Sequence, residues 1–104
     1  MDLKACVFHF EWGEKSGIEL YKAVAGSQLT RVHSFTDSDY RQRVSECIAF
    51  LDELKMKTVY TSGSIDESKF RFSSKNLRRS ELTVEERAYF AEHGITVNSL
   101  ETIS

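Results

Sequence analysis

Histidine beside carboxylate is the pairing best suited to proton transfer near neutral pH. In this sequence His9, Glu11 and Tyr21 are the residues that could combine for it. Pairing the first two extended segments outward from the turn at residues 13–17 brings His9, Tyr21 and Val32 together on one face, with Glu11 and Glu19 beside them. General acid–base chemistry on a small molecule is the activity such a group would support. A second candidate is basic. From Lys69 to Arg79 the chain carries two Lys, three Arg and no acid, so this +5 segment leaves −7 for the rest of a chain whose net charge is −2. Lys69, Arg71, Lys75, Arg78 and Arg79 could neutralise phosphates while Phe70 or Phe72 stacks on bases. They could instead meet carboxylates on a protein partner, or Asp52 and Glu53 of this chain's own helix. Lys22 and Arg31 form a smaller pair of neighbouring cations, able to bind an anion or to lay their stems over apolar surface.

Metal and nucleophile signatures are missing. Cys6, His9, His33, Cys47 and His93 lack the close ligand pairs of a zinc site. Both cysteines fall at apolar positions, where a free thiol behaves as a small hydrophobe. The chain has no Gly-x-Gly-x-x-Gly, no Walker-type phosphate loop, no nucleophile elbow and no His-Glu-x-x-His. No cofactor is expected.

The elements that would position these groups follow from periodicity. Ala5 to Trp12 alternates, placing Cys6, Phe8, Phe10 and Trp12 on one side and Val7, His9 and Glu11 on the other. Ile18 to Val24 and Leu29 to Phe35 follow as strands, joined by a Gly26-Ser27 loop suited to a hairpin. The same pairing sets Trp12 against Ile18, Phe10 against Leu20, and Cys6 against Val24. In the next hairpin it sets Leu20 against His33 and Ile18 against Phe35. A helix is predicted over residues 39 to 55, with Tyr40, Val44, Cys47, Ile48, Leu51 and Leu54 on its apolar stripe. Arg41, Arg43, Glu46, Asp52 and Glu53 fall on its wet side. Thr36 or Ser38 would accept the first free amides, and the helix would cover the Cys6, Phe8, Phe10 and Trp12 face.

Thr58-Val59-Tyr60 reads as a fourth strand, ended by Ser62-Gly63. Residues 64–82 form a basic loop or edge segment, within which Lys69 to Phe72 reads either as a short two-faced strand or as a loop anchored by its aromatics. Thr83 and Glu86 have capping-box spacing, so a short helix should run to His93. Gly94 suits its left-handed C-terminal cap, and Ile95-Thr96-Val97 resumes as a final short strand. The expected fold is therefore α+β: a three-stranded antiparallel meander, a central helix, a further strand and a short C-terminal helix.

This order of three antiparallel strands, helix, strand and helix resembles the beginning of the ribonuclease H-like fold. Lys57-Thr58-Val59-Tyr60-Thr61-Ser62 looks like that fold's fourth strand. The resemblance implies convergent carboxylates holding two metal ions. Where the family has an aspartate on its first strand, this chain offers His9 or Glu11. Glu46 lies near the position of its helix glutamate, and Ser62 replaces its fourth-strand aspartate. The likeness thus concerns architecture, without the metal site.

At 104 residues, with 40% hydrophobic and 29% charged side chains, the chain is expected to form one domain with one core. Met1 to Lys4 lacks the order of a signal peptide, and no apolar run approaches the ~20 residues that span a bilayer. A soluble, cytoplasmic protein without membrane contact is expected, with a dimer as one option for its assembly. These features favour a small interaction or regulatory module that binds a protein partner without catalysis. The alternatives are nucleic-acid or phosphate binding through residues 69–79, and a small enzyme built on His9, Glu11 and Tyr21.

Overall fold

In the computed structural model, which describes residues 3–24, 29–62 and 78–99, six strands form one sheet and two helices pack against it. The elements are β1 (Leu3–Trp12), β2 (Lys15–Val24), β3 (Thr30–Thr36), α1 (Tyr40–Glu53), β4 (Thr58–Thr61), β5 (Arg78–Ser80), α2 (Val84–Glu92) and β6 (Thr96–Ser99). Strand order is β3-β2-β1-β4-β6, and β5 pairs with the far half of β1. β1, β2 and β3 form the antiparallel meander, while β4 and β6 run parallel to β1 and to each other. Parallel neighbours need a crossover, which α1 and α2 supply. The expected α+β order is thus present, with β5 as an additional strand between β4 and α2. Among the described residues no helix is long and apolar enough to cross a membrane.

Register differs from expectation in the first hairpin. Trp12 pairs with Lys15 across Gly13 and Glu14, so the turn has two residues rather than five. Gly13 adopts φ 61°, a conformation that tight hairpin turns require and glycine reaches without strain. The resulting offset from the expected pairing is an odd number of residues, which turns β1 over relative to β2. Val7 and His9 now oppose Leu20 and Ile18, whereas Cys6 and Phe8 oppose Tyr21 and Glu19. The second hairpin keeps Ile18 opposite Phe35 and Leu20 opposite His33, as expected. A bulge after Leu20 then pairs Tyr21 with Arg31 and Lys22 with Thr30. Lys22 and Arg31 therefore lie on opposite faces and do not form an anion-binding pair.

The helices accordingly cover the other face of β1 from the one expected. Their core joins Ala5, Val7, Ile18, Leu20 and Phe35 to Val44, Cys47 and Leu51 of α1, with Val59, Leu82, Phe90 and Ile95 around them. Cys6 and Phe8 gather instead with Tyr21 and Leu29 in a second buried cluster. Phe10 lies over Gly17, where a Cβ would stand 2.6 Å from its ring, so the absence of a side chain inside β2 is what admits that ring. Trp12, assigned to the core by alternation, is 55% exposed at the hairpin tip, and Leu54 is 48% exposed at the end of α1.

Local signals are placed more accurately. Thr83 and Glu86 complete a reciprocal capping box, and Gly94 takes φ 82° after α2. At the start of α1 the cap is Asp39, whose carboxylate accepts the Arg41 amide at 3.0 Å, and not Thr36 or Ser38. The Gly26-Ser27 loop and the Lys69 to Phe72 strand or loop lie outside the described residues.

Candidate functional site

One charged cluster ties β1, α1 and α2 together. Glu86 occupies the first turn of α2, where its Oε1 accepts the Thr83 amide at 3.0 Å. Its Oε2 accepts Arg43 Nε at 2.7 Å and lies 3.0 Å from His9 Nδ1. Arg43 also donates from Nη1 to the Asp37 carbonyl at 2.8 Å, which holds the entry to α1. Glu86 is 0% exposed, Arg43 5% and His9 7%, so the charges meet where water does not screen them. Burial by itself would raise the Glu86 pKa, but the His9 hydrogen bond, the Thr83 amide, and the adjacent His9 and Arg43 groups outweigh it and hold the carboxyl below its ordinary value.

Because a carboxylate only accepts, the Glu86 contact selects the His9 tautomer with its proton on Nδ1 and leaves Nε2 on the other side of the ring. That side faces Glu11, with Nε2 3.7 Å from Oε1. An imidazole oriented by a buried carboxylate is the arrangement that general bases use. Here the same bonds join three elements, and the ring is almost wholly enclosed. His9 and Glu11 are together as expected, but the turned register sends Tyr21 and Glu19 to the opposite face. Arg43, expected on the wet side of α1, is buried beside Glu86. The capping-box spacing marks the local role of Glu86, and nothing in the sequence marks its second oxygen as the acceptor for Arg43.

A second ion pair lies on the face away from the helices. Arg79 Nε donates to Glu19 Oε1 at 2.8 Å with both side chains enclosed, and Arg31 Nη1 approaches Glu19 Oε2 at 3.9 Å. The Arg79 guanidinium also sits 5.9 Å from the centre of the Tyr21 ring. Burial, then the Glu19 charge, pushes the Tyr21 pKa to about 12 against the opposing pull of Arg79. Arg79 is thus part of the interior, whereas Arg78 is exposed opposite Glu11 in β5. The other residues assigned to the basic surface, Lys69, Phe70, Arg71, Phe72 and Lys75, lie outside the described residues. On α1, Asp52 is 3.3 Å from Lys57 and so is engaged by its own neighbour.

Beneath the C-terminal end of α1 the sheet and helix leave a half-open groove of about 350 Å³. Ala5, Leu20 and Val32 line it from the strands, and Leu54 and Met56 from the helix end. Lys22 stands on its wall. α1 stops short of covering these strands because the chain leaves the helix at Lys55, where φ reaches 58° and the Met56 amide bonds back to the Leu51 carbonyl at 3.0 Å.

Among the described residues no three His, Cys, Asp or Glu side chains converge as metal ligands. At the positions singled out by the ribonuclease H likeness, His9 is bonded to Glu86, Glu46 is exposed on α1 and Ser62 is a buried neutral residue. This set does not fit a pair of metal ions. Comparison with protein-family models, with curated proteins and with solved structures finds no match.

Proposed function

We propose that this domain is a non-catalytic binding module for a segment of a protein partner, seated in the groove beside the end of α1. The observation that carries the proposal is the groove itself. Its volume falls at the lower end of the roughly 300–1,000 Å³ typical of ligand sites, and its lining is mainly apolar. Leu54 presents a large apolar side chain to water there, and Met56 adds a flexible thioether of the kind that adapts to varied partners. The clustered charges elsewhere are engaged inside the fold: His9 and Arg43 with Glu86, and Arg79 with Glu19. The pairing of Arg79 removes one cation from the nucleic-acid alternative.

A phage-displayed library of random peptides tests the proposal, because it presents every class of side chain to the groove at once. Enriched peptides should shift the amide resonances of Ala5, Leu20, Val32 and Met56, and Leu54→Glu should weaken them about tenfold or more, or ~1.4 kcal/mol. Leu54 is about half exposed, so the variant should still fold, which a thermal melt checks. Failure to enrich any peptide, or a footprint elsewhere, overturns the proposal. So does retention of single- or double-stranded oligonucleotides at about 0.15 M salt, where non-specific phosphate contacts are already weakened.

A further inference from the structure

We infer that the segment received by the groove carries an apolar anchor and, a short distance along it, a carboxylate that meets Lys22. This inference rests on the protein-binding function proposed above and specifies the chemistry of the partner. Leu20 and Lys22 are alternate residues of β2 and so point to the same side, toward α1. Leu20 belongs to the groove's apolar floor, while Lys22 is exposed on its wall. Among the described residues the Lys22 ammonium has no ion pair or hydrogen bond.

Three neighbouring cations are occupied or directed elsewhere, and Lys55, exposed between Leu54 and Met56, does not line the groove. Lys4 also borders the groove, but its ammonium lies 5.1 Å from the centre of the Tyr60 ring. Lys57 is 3.3 Å from Asp52, and Arg31 lies on the opposite face near Glu19. Lys22 therefore remains to answer a charge on an occupant. A carboxylate would meet it at the rim, where two partners half in water lose little solvation, while an apolar side chain fills the space between Leu20, Val32 and Met56. A basic segment would set a second cation against Lys22.

Spacing follows from strand geometry. Alternate residues of a strand are about 7 Å apart, which an extended partner spans in two residues and a helical partner in about one turn. The recognised pattern is an apolar residue with Asp or Glu two positions away if the segment is extended, or three to four away if it is helical.

The test is one random-peptide selection run in parallel on the wild-type protein, Lys22→Ala and Lys22→Glu. The wild type should enrich an apolar residue and an acid at constant spacing. Lys22→Ala should keep the apolar residue and lose the acid preference, and Lys22→Glu should replace the acid by Lys or Arg. A synthetic winner should lose several-fold in affinity when its acid becomes the amide, and this loss should vanish on Lys22→Ala. Thermal melts confirm that the exposed substitutions leave the fold intact. If wild-type peptides show the apolar anchor with no acid, or an acid preference that survives both substitutions, this inference falls and the binding module stands. If no variant enriches a peptide, both fall.

Discussion

Replacing Glu86 by alanine should be among the most damaging single changes in this domain. The carboxylate is wholly buried and serves three donors: the Thr83 amide, Arg43 Nε and His9 Nδ1. Removing one partner of a buried ion pair costs about 3–5 kcal/mol, because the remaining charge stays desolvated. Loss of the reciprocal cap adds about 1 kcal/mol. A total of about 4–6 kcal/mol is a large share of the roughly 5–15 kcal/mol that holds a small domain together. With a urea dependence of about 1–3 kcal/mol per molar, the unfolding midpoint should fall by roughly 1.3 M or more. Glu85→Ala, an exposed change in the same turn, should cost at most about 1 kcal/mol.

The pH dependence has a definite sign. The folded pKa of Glu86 lies below the ordinary value of 4.5, so its contribution is fully present above that value and is lost as pH falls through the folded pKa. The stability gap between wild type and Glu86→Ala should therefore narrow as pH falls below 4.5. A cost below about 1 kcal/mol near neutral pH, or a gap unchanged on acidification, would refute the closed charge cluster.

Gly17→Ala places a Cβ 2.6 Å from both the Phe10 ring and the Phe35 carbonyl oxygen. It should cost about 1–3 kcal/mol by overpacking, read as a lower calorimetric melting temperature, and an unchanged melt would contradict that approach. Burial pushes the Cys6 thiol up to about 11 despite the opposing charge of Lys4, and burial pushes Cys47 higher still. Both should label slowly with a thiol reagent until urea unfolds the chain, since the thiolate is the reactive form, and rapid native labelling of either would show that its burial is wrong.

What the amino-acid sequence by itself determined is mostly local. The α1 stripe of Val44, Cys47 and Leu51, the Thr83–Glu86 capping box, the left-handed Gly94 and the strand around Val59 all arise from residues a few positions apart. Such patterns report the backbone that carries them. The second hairpin was legible as far as Leu20 because its alternation and its pairing agree. The first hairpin was not. β1 is apolar on both faces, with Cys6, Phe8 and Phe10 on one and Ala5 and Val7 on the other, so alternation does not say which side the helices cover. The two-residue turn at Gly13 and Glu14 decides it, and that single difference in turn length moves Tyr21 away from His9. β5 has no apolar pattern of its own and exists as a strand through its pairing with β1. Arg43 and Arg79 looked like surface cations because isolated arginine is costly to bury, and only the folded chain brings each a buried glutamate, Glu86 and Glu19. The groove is likewise tertiary, for it is the space left where α1 ends before the strands beneath it do.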